Sequence, residues 1–217
     1  MNEADARPSG YSLALNAVPF GFVACAAALA WWVGIAAALA WVYLLPPVFC
    51  RLLIVLFGRP EGEALGQATR AYKVWWLIAQ LQMPFNRFPA LDEALRLAPG
   101  LYALWLNLWG SSVSPVVFWG PGALVLDRHA LRVGRGVVIG TRAVLSAHLG
   151  VKEDGGAFRV TLAPVEIGAG ALIGANAGIG PGCRVAAGAE VPAATFMRPF
   201  TRWEGAARVR ADRPRAA

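Results

Sequence analysis

"VEIGAGALIGANAGIGPGCRVAAGAEV", residues 165–191, carries an aliphatic side chain at every sixth position: Ile167, Ile173, Ile179, Val185 and Val191. An α-helix repeats its apolar face every 3.6 residues and a strand every second residue. A plain strand would not set a glycine directly after its aliphatics, as Gly168, Gly174 and Gly180 are set here. A repeating unit of one short strand and one tight corner accounts for both features. Three such hexapeptides close a triangular coil of ~18 residues, and coils stack ~4.8 Å apart by parallel strand pairing. The aliphatic fills the prism. Gly and Ala stand where the chain turns sharply and where one coil comes close to the next.

The same period continues toward the N-terminus. Val133, Ile139 and Leu145 are six apart, with Gly134 and Gly140 following the aliphatics. After a two-residue slip, Val113, Trp119 and Val125 form a weaker earlier set. The expected fold class is mainly β, a parallel β-helix of hexapeptide repeats over residues 111–195. A basic C-terminal tail, 196–217, is expected after it.

The front of the chain is different. The protein is 217 residues long, 57% apolar and 15% charged, and its apolar excess is concentrated before the repeats. Residues 8–50 hold no Asp, Glu, Lys or Arg. Each membrane span needs ~20 apolar residues, and one straight helix of this length would be about 65 Å long. A transmembrane hairpin within 11–58 is therefore expected, with spans at 13–33 and 35–57, a turn near Gly34, and Trp31 and Trp32 at the interface. One span followed by an interfacial stretch broken at Pro46-Pro47 is the alternative. The leader, residues 1–10, carries Glu3 and Asp5 against Arg7 and lacks the basic start of a signal peptide. Arg51, Arg59, Arg70 and Lys73 follow the apolar block, which places that side in the cytoplasm by the positive-inside rule. Cys25, Cys50 and Cys183 have the spacing of neither a disulfide framework nor a metal site.

Residues 59–110 read as an amphipathic, interfacial connector of helices. A helix is predicted over 63–83, with Tyr72, Trp75 and Trp76 on one side, Gln67, Arg70, Lys73 and Gln80 on the other, and Pro84 as its stop. It either lies in the membrane surface or packs on its own protein. A short helix is predicted over 91–98. "LYALWLNLW", 101–109, is apolar enough to contact membrane.

The repeats resemble those of the hexapeptide acyltransferases, most of all the maltose, galactoside and colanic-acid O-acetyltransferase branch. "RAVLSAHLG", 142–150, ends a repeat with a histidine, and "LAPVEIG", 162–168, restarts the period after a non-repetitive loop. The restart matches that branch's Pro-aliphatic-x-Ile-Gly motif. The N-terminal membrane anchor departs from the soluble members and is more similar, loosely, to the membrane-embedded acyltransferase-like units of poly-lysine synthetases. The resemblance implies a left-handed coil, a homotrimer, and acyl-coenzyme A, with acetyl the expected acyl group, as co-substrate. It implies that His148 is the general base. It also implies a donor groove between adjacent prisms, lined near Gly174, Ala175 and Asn176, with cations such as Arg184 and Arg208 for the phosphates. Arg198, Arg202 and Arg210 are further cations in that region, and all of them are equally suited to anionic lipid. "WEGAARVR", 203–210, stands where the family closes with Gly-x-Pro-Ala-Arg, but has Ala206 and Ala207 in place of x-Pro.

Acyl transfer from a thioester to a hydroxyl needs a base and a donor for the developing oxyanion. The two histidines are His129 and His148. His129 is expected to be outward-facing or structural. Glu153, Asp154 and Asp127 are the carboxylates available to orient His148. Two histidines and no cysteine cluster argue against a metal centre, and basic residues without interleaved stacking aromatics argue against nucleic acid. The readings to be separated are a membrane-anchored O-acyltransferase facing the cytoplasm, acting on a hydroxyl of a sugar or lipid-linked glycan, and a non-catalytic trimeric scaffold in a membrane complex.

Overall fold

The structure, a computed structural model, describes residues 9–153, 156–205 and 207–209. It opens with α1 (Gly10–Leu15), α2 (Val18–Trp32) and α3 (Ile35–Phe57). The Ser9 hydroxyl caps α1 by accepting from the Ser12 N–H at 3.2 Å. Gly34 turns the chain between α2 and α3 with φ of 120°, a backbone state a Cβ would strain. Two stretches of 23 residues, Gly10–Trp32 and Ile35–Phe57, are long and apolar enough to cross a membrane. α3 does not break at Pro46-Pro47. Pro47 has no N–H to bond the Tyr43 carbonyl four residues back. That carbonyl instead accepts from the Trp105 indole N–H at 2.7 Å, which keeps the buried group satisfied.

The connector is β1 (Gly62–Leu65), α4 (Arg70–Arg87), α5 (Ala90–Arg96) and α6 (Leu101–Trp109). The helix predicted over 63–83 therefore starts seven residues late and runs past Pro84. Thr69 sets the start, its hydroxyl accepting from the Tyr72 N–H at 3.3 Å. The residues before it are drawn into a sheet. Gln80 is buried rather than on a polar face, because α4 packs on protein around most of its circumference. α5 falls close to the expected 91–98. α6 buries Tyr102, Trp105, Leu106 and Trp109 and leaves Leu101, Leu104 and Leu108 exposed.

The repeats then wind five levels of a prism. The first coil is β2 (Ser112–Val113), β3 (Val117–Trp119) and β4 (Leu124–Val125). The second is β5 (Leu131–Val133), β6 (Val137–Ile139) and β7 (Val144–Leu145). A hairpin of β8 (His148–Lys152) and β9 (Phe158–Leu162) follows. The third coil is β10 (Val165–Ile167), β11 (Leu172–Ile173) and β12 (Gly178–Ile179), and the fourth is β13 (Arg184–Val185), β14 (Glu190–Val191) and β15 (Phe196–Met197). β16 (Arg202–Glu204) begins a fifth level, and β17 (Ala207–Val209) folds back on it antiparallel. Parallel pairing makes three faces, β2-β5-β10-β13-β16, β3-β6-β11-β14 and β4-β7-β12-β15. The β-helix thus extends beyond residue 195. Met197 pairs with Ile179 and Trp203 with Val185, so both fill aliphatic positions with residues the six-residue pattern did not flag.

Two backbone positions recur through the coil. A Cβ on Gly140 would lie 2.6 Å from the Ala175 nitrogen of the next coil, and Gly134, Gly168 and Gly174 would meet the next coil's backbone as closely, so these four positions after an aliphatic must stay bare. A second position, two residues later, has positive φ: Gly136, Arg142, Gly170, Asn176, Gly182, Gly188, Ala194 and Phe200. One contiguous core joins Cys50 and Leu53 of α3 through α6 to the prism aliphatics.

The helical layer is fastened by a buried ion pair. Arg128 Nη2 donates to Asp92 Oδ2 at 2.7 Å, with side-chain exposures of 0% and 4%. Gly140→Ala is expected to lower stability by about 1–3 kcal/mol through overpacking, whereas Arg142→Gly relieves a left-handed residue and should be neutral or stabilising by about 1 kcal/mol; thermal unfolding of the two variants in detergent compares them directly. Asp92→Asn leaves the Arg128 charge buried and unanswered, and a loss of about 3–5 kcal/mol is expected in denaturant titration.

Candidate active site

The site is built where the repeat is broken. Val125 pairs with Leu145 and Val113 with Val133, so the first coil is two residues longer than the later ones, and the extra length lies at the corner between β4 and β5. That corner holds Asp127, Arg128 and His129. Its backbone is held from several sides. Ser111 Oγ donates to the Arg128 carbonyl at 2.7 Å and accepts from the Leu131 N–H at 2.9 Å. Arg59, just past α3, donates to the His129 carbonyl at 3.1 Å and the Gly110 carbonyl at 2.8 Å. Arg59 is thus tied to this corner by its guanidinium while the residue as a whole stays exposed.

The next corner along the same prism edge is the β8–β9 hairpin, so the described residues of the segment expected as a non-repetitive loop form two paired strands. β9 also pairs antiparallel with β1, giving a three-stranded sheet over the helical layer. His148 is the first residue of β8, and its carbonyl accepts from Ser146 Oγ at 2.8 Å. Its Nδ1 lies 2.7 Å from Asp127 Oδ2. The same oxygen accepts from the Ala147 N–H at 2.8 Å, and Asp127 Oδ1 accepts from the Trp75 indole N–H at 3.4 Å. The Trp75 ring stands 5.2 Å from the imidazole, centroid to centroid.

The charges follow from these contacts. Burial of Asp127 would raise its pKa, but the hydrogen bond and charge of His148, aided by His129 and the Ala147 N–H, hold it below the usual carboxylate value. Asp127 is therefore an anion and accepts only, so Nδ1 of His148 carries the proton and Nε2 is left as the basic nitrogen. Burial alone would lower the His148 pKa, but the bond and charge of Asp127 win and raise it above 6.5. Its side chain is 30% exposed, against 2% for Asp127. The pair therefore consists of a fixed, dry carboxylate and a reachable imidazole, the arrangement a general base requires.

The other expected residues are distributed as follows. His129 is buried, not outward-facing, and burial with the charges of Arg59 and His148 brings its pKa down to about 4 against the pull of Asp127. It is a neutral structural group, drawn inward because the longer corner folds over it. Glu153 is at the other end of β8 from His148, its carboxylate 3.3 Å from Arg159. Asp154 and Arg210 lie outside the described residues. Gly174, Ala175 and Asn176 form the corner between β11 and β12, a different prism edge from His148. Asn176 occupies a left-handed turn position, φ 57°. Arg184 is on the outer side of the β2-β5-β10-β13-β16 face, where Arg132, Glu166, Arg184 and Arg202 stand in register. Arg208 donates to Thr201 Oγ1 at 3.3 Å. One prism does not bring the residues at 174–176 together with Arg184 and Arg208.

Sequence reasoning missed Trp75 as part of the site and did not choose Asp127 among the carboxylates. The choice was available in the register. With Val125 opposite Leu145, Asp127 falls opposite Ala147, next to His148.

No family model matches this sequence, and no curated protein matches it. The solved structures similar to it are hexapeptide-repeat acetyltransferases and other acyltransferases. One is a hexapeptide-repeat acetyltransferase of Vibrio cholerae in complex with acetyl coenzyme A, 18% identical over 63% of this chain and 85% of that one, with a TM-score of 0.34. A maltose O-acetyltransferase of Clostridium difficile is 12% identical, over 62% and 89%, with a TM-score of 0.25. A serine acetyltransferase of Neisseria gonorrhoeae is 18% identical, over 96% and 82%, with a TM-score of 0.22. At these identities and TM-scores the likeness carries no argument about this chain, and its chemistry is read from Asp127 and His148.

Proposed function

We propose that the protein is a membrane-anchored O-acyltransferase that moves an acyl group, acetyl in the first instance, from acyl-coenzyme A to a hydroxyl of a sugar or lipid-linked acceptor. The observation that carries this reading is the 2.7 Å contact between buried Asp127 and accessible His148 at the point where the repeat opens into a hairpin. In this reading His148 Nε2 takes the acceptor's hydroxyl proton as the oxygen attacks the thioester carbonyl. The tetrahedral intermediate collapses by breaking the C–S bond. The leaving thiolate takes the proton back from the imidazolium, so the products are an ester and free coenzyme A. Asp127 holds the tautomer and stabilises the transient imidazolium.

The anchor is read as the α2–α3 hairpin, and the positive-inside rule applied to the cations after α3 supports a cytoplasmic prism, where acyl-coenzyme A is found. The coil is read as left-handed and the assembly as a homotrimer. Phe118, Val138 and Leu172 stand in register as an exposed apolar stripe on one face, and such a stripe favours burial against a neighbour. The donor groove is read as shared between neighbouring prisms, since one prism alone keeps the 174–176 corner apart from Arg184 and Arg208.

His148→Ala is expected to lower kcat by about 10²–10⁴-fold with little change in the dissociation constant for acetyl-coenzyme A, read by thiol release and by calorimetry. Turnover close to wild type would remove the base assignment and favour a scaffold. The pH profile follows from the sign of the His148 shift. The base is active when neutral, so kcat should rise with pH through a midpoint above 6.5 and then level off. In Asp127→Asn the raising influence is gone and burial remains, so the midpoint should move below 6.5 while the plateau falls by about 10²-fold or more. An unmoved midpoint would show that Asp127 does not govern the imidazole.

A further inference from the structure

The inner side of the β8–β9 hairpin leads away from His148. Alternate residues of a strand share a face, so His148, Gly150 and Lys152 run along one side of β8, paired with Leu162, Val160 and Phe158 of β9. This side packs on α4, where Val160 and Leu162 are buried with Tyr72 and Trp75. An aromatic wall runs in the same direction. Trp75 abuts His148, Tyr72 lies 5.6 Å from Trp75, and Trp76 stacks on Tyr72 at 6.1 Å with planes 8° apart. Where the wall ends, the packing opens into a groove between α1, the first turns of α4 and the described ends of β8 and β9, lined by Leu13, Tyr72, Trp76, Lys152 and Phe158 among others. Lys152 is about 13 Å along the strand from His148, at ~3.3 Å per residue.

Two observations define what such a groove would hold. Most of its lining surface is apolar, although Ser12, Asn16 and Gln67 also border it, and Leu13 is 57% exposed there. Leu13 belongs to α1, which leads through a short turn into α2, so the groove is continuous with the foot of the first apolar stretch, the level at which headgroups would lie around a spanning helix. At the rim, Lys152 offers a cation to an anionic group, and the Tyr11 hydroxyl and Trp76 indole are tied to backbone carbonyls of Lys73 and Ser12, so the walls are fixed in place. Apolar lining, one rim cation and a strand leading to the imidazole fit a single molecule with a tail, a negative charge and a hydroxyl.

We infer that this groove is an acceptor subsite for an anionic amphiphile, with its tail among Leu13, Tyr72, Trp76 and Phe158, its charged group beside Lys152, and its hydroxyl carried along β8 to His148. The inference rests on the acyltransferase reading and narrows the acceptor to a membrane-borne anionic lipid.

The test uses the full chain in amphipol and a dodecyl phosphate bearing a diazirine near the end of its tail. Labelling is mapped by mass spectrometry. Expected labels fall in the peptides around Leu13, Trp76 and Phe158. Leu13→Trp, which fills the groove, and Lys152→Glu, which reverses its rim charge, should each reduce labelling about fivefold. The matching diazirine dodecanol should label more weakly, and excess inorganic phosphate should not displace the probe. Labels confined to the outer sides of α2 and α3, or unchanged in both variants, overturn the subsite. Displacement by inorganic phosphate alone overturns the tail-binding part. Coenzyme A release from acetyl-coenzyme A by the same preparation reports on the acyl-transfer reading separately. Release without groove labelling sinks the subsite alone, and groove labelling without release sinks the acceptor role.

Discussion

Arg128 is shut off from solvent, and the Asp92 carboxylate answers its charge; the geometry of the active corner depends on that pair. A guanidinium with no exposed surface is tolerated only where its charge and most of its donors are met. Here Nη2 bonds Asp92, Nη1 bonds Asn86 Oδ1 at 2.7 Å, the group lies over the Phe85 and Trp105 rings, and Nε alone has no hydrogen-bond partner among the described residues. Its own N–H reaches Gln82 Oε1. Asp92 also accepts from the Tyr102 hydroxyl at 3.0 Å. α4, α5 and α6 are thereby fixed to one corner of the prism. Because α4 is fixed, Trp75 can stand beside both Asp127 and His148. The pair contributes less to stability than to placement, since taking two charges out of water offsets most of their attraction.

Three titratable groups share this corner, and their surroundings separate them. His129 stays neutral, with its pKa near 4. Asp127 is held below the usual carboxylate value, and His148 is held above the usual imidazole value by the bond and charge of Asp127. Environments that push neighbouring pKa values apart are how a site assigns an acid, a base and a bystander. Trp75 ties the separation to the helical layer. Its indole bonds the second Asp127 oxygen, which is otherwise buried, and its ring covers one side of the imidazole.

The prism is regular along its faces and irregular at the edge that holds Asp127 and His148. Both departures from the six-residue period, the two-residue slip and the hairpin, fall on the same edge one coil apart. The slip lets Asp127 reach out of its own coil, and the hairpin delivers His148 beneath it. A local rule broken twice at one place, inside an otherwise consistent pattern, is the mark of a site.

The sequence alone determined the repeat, because a side chain that must fill a narrow prism recurs at a fixed chain distance whatever surrounds it. It also determined the two apolar helices and their glycine turn, since length and absence of charge are local properties. Most of the glycines were legible for the same reason: a bare position where coils approach is a fixed offset from the aliphatic. His148 stood out because it ended a repeat. Tertiary structure decided which carboxylate faces it, because that depends on which coil lies above, and a slip of two residues shifts the whole register. It also decided the start of α4, where pairing of Gly62–Leu65 with β9 overrode helix propensity. Trp75 was beyond reach for the same reason. It meets Asp127 across 52 residues of chain, and only the docking of the helical layer through Arg128 and Asp92 brings the two together.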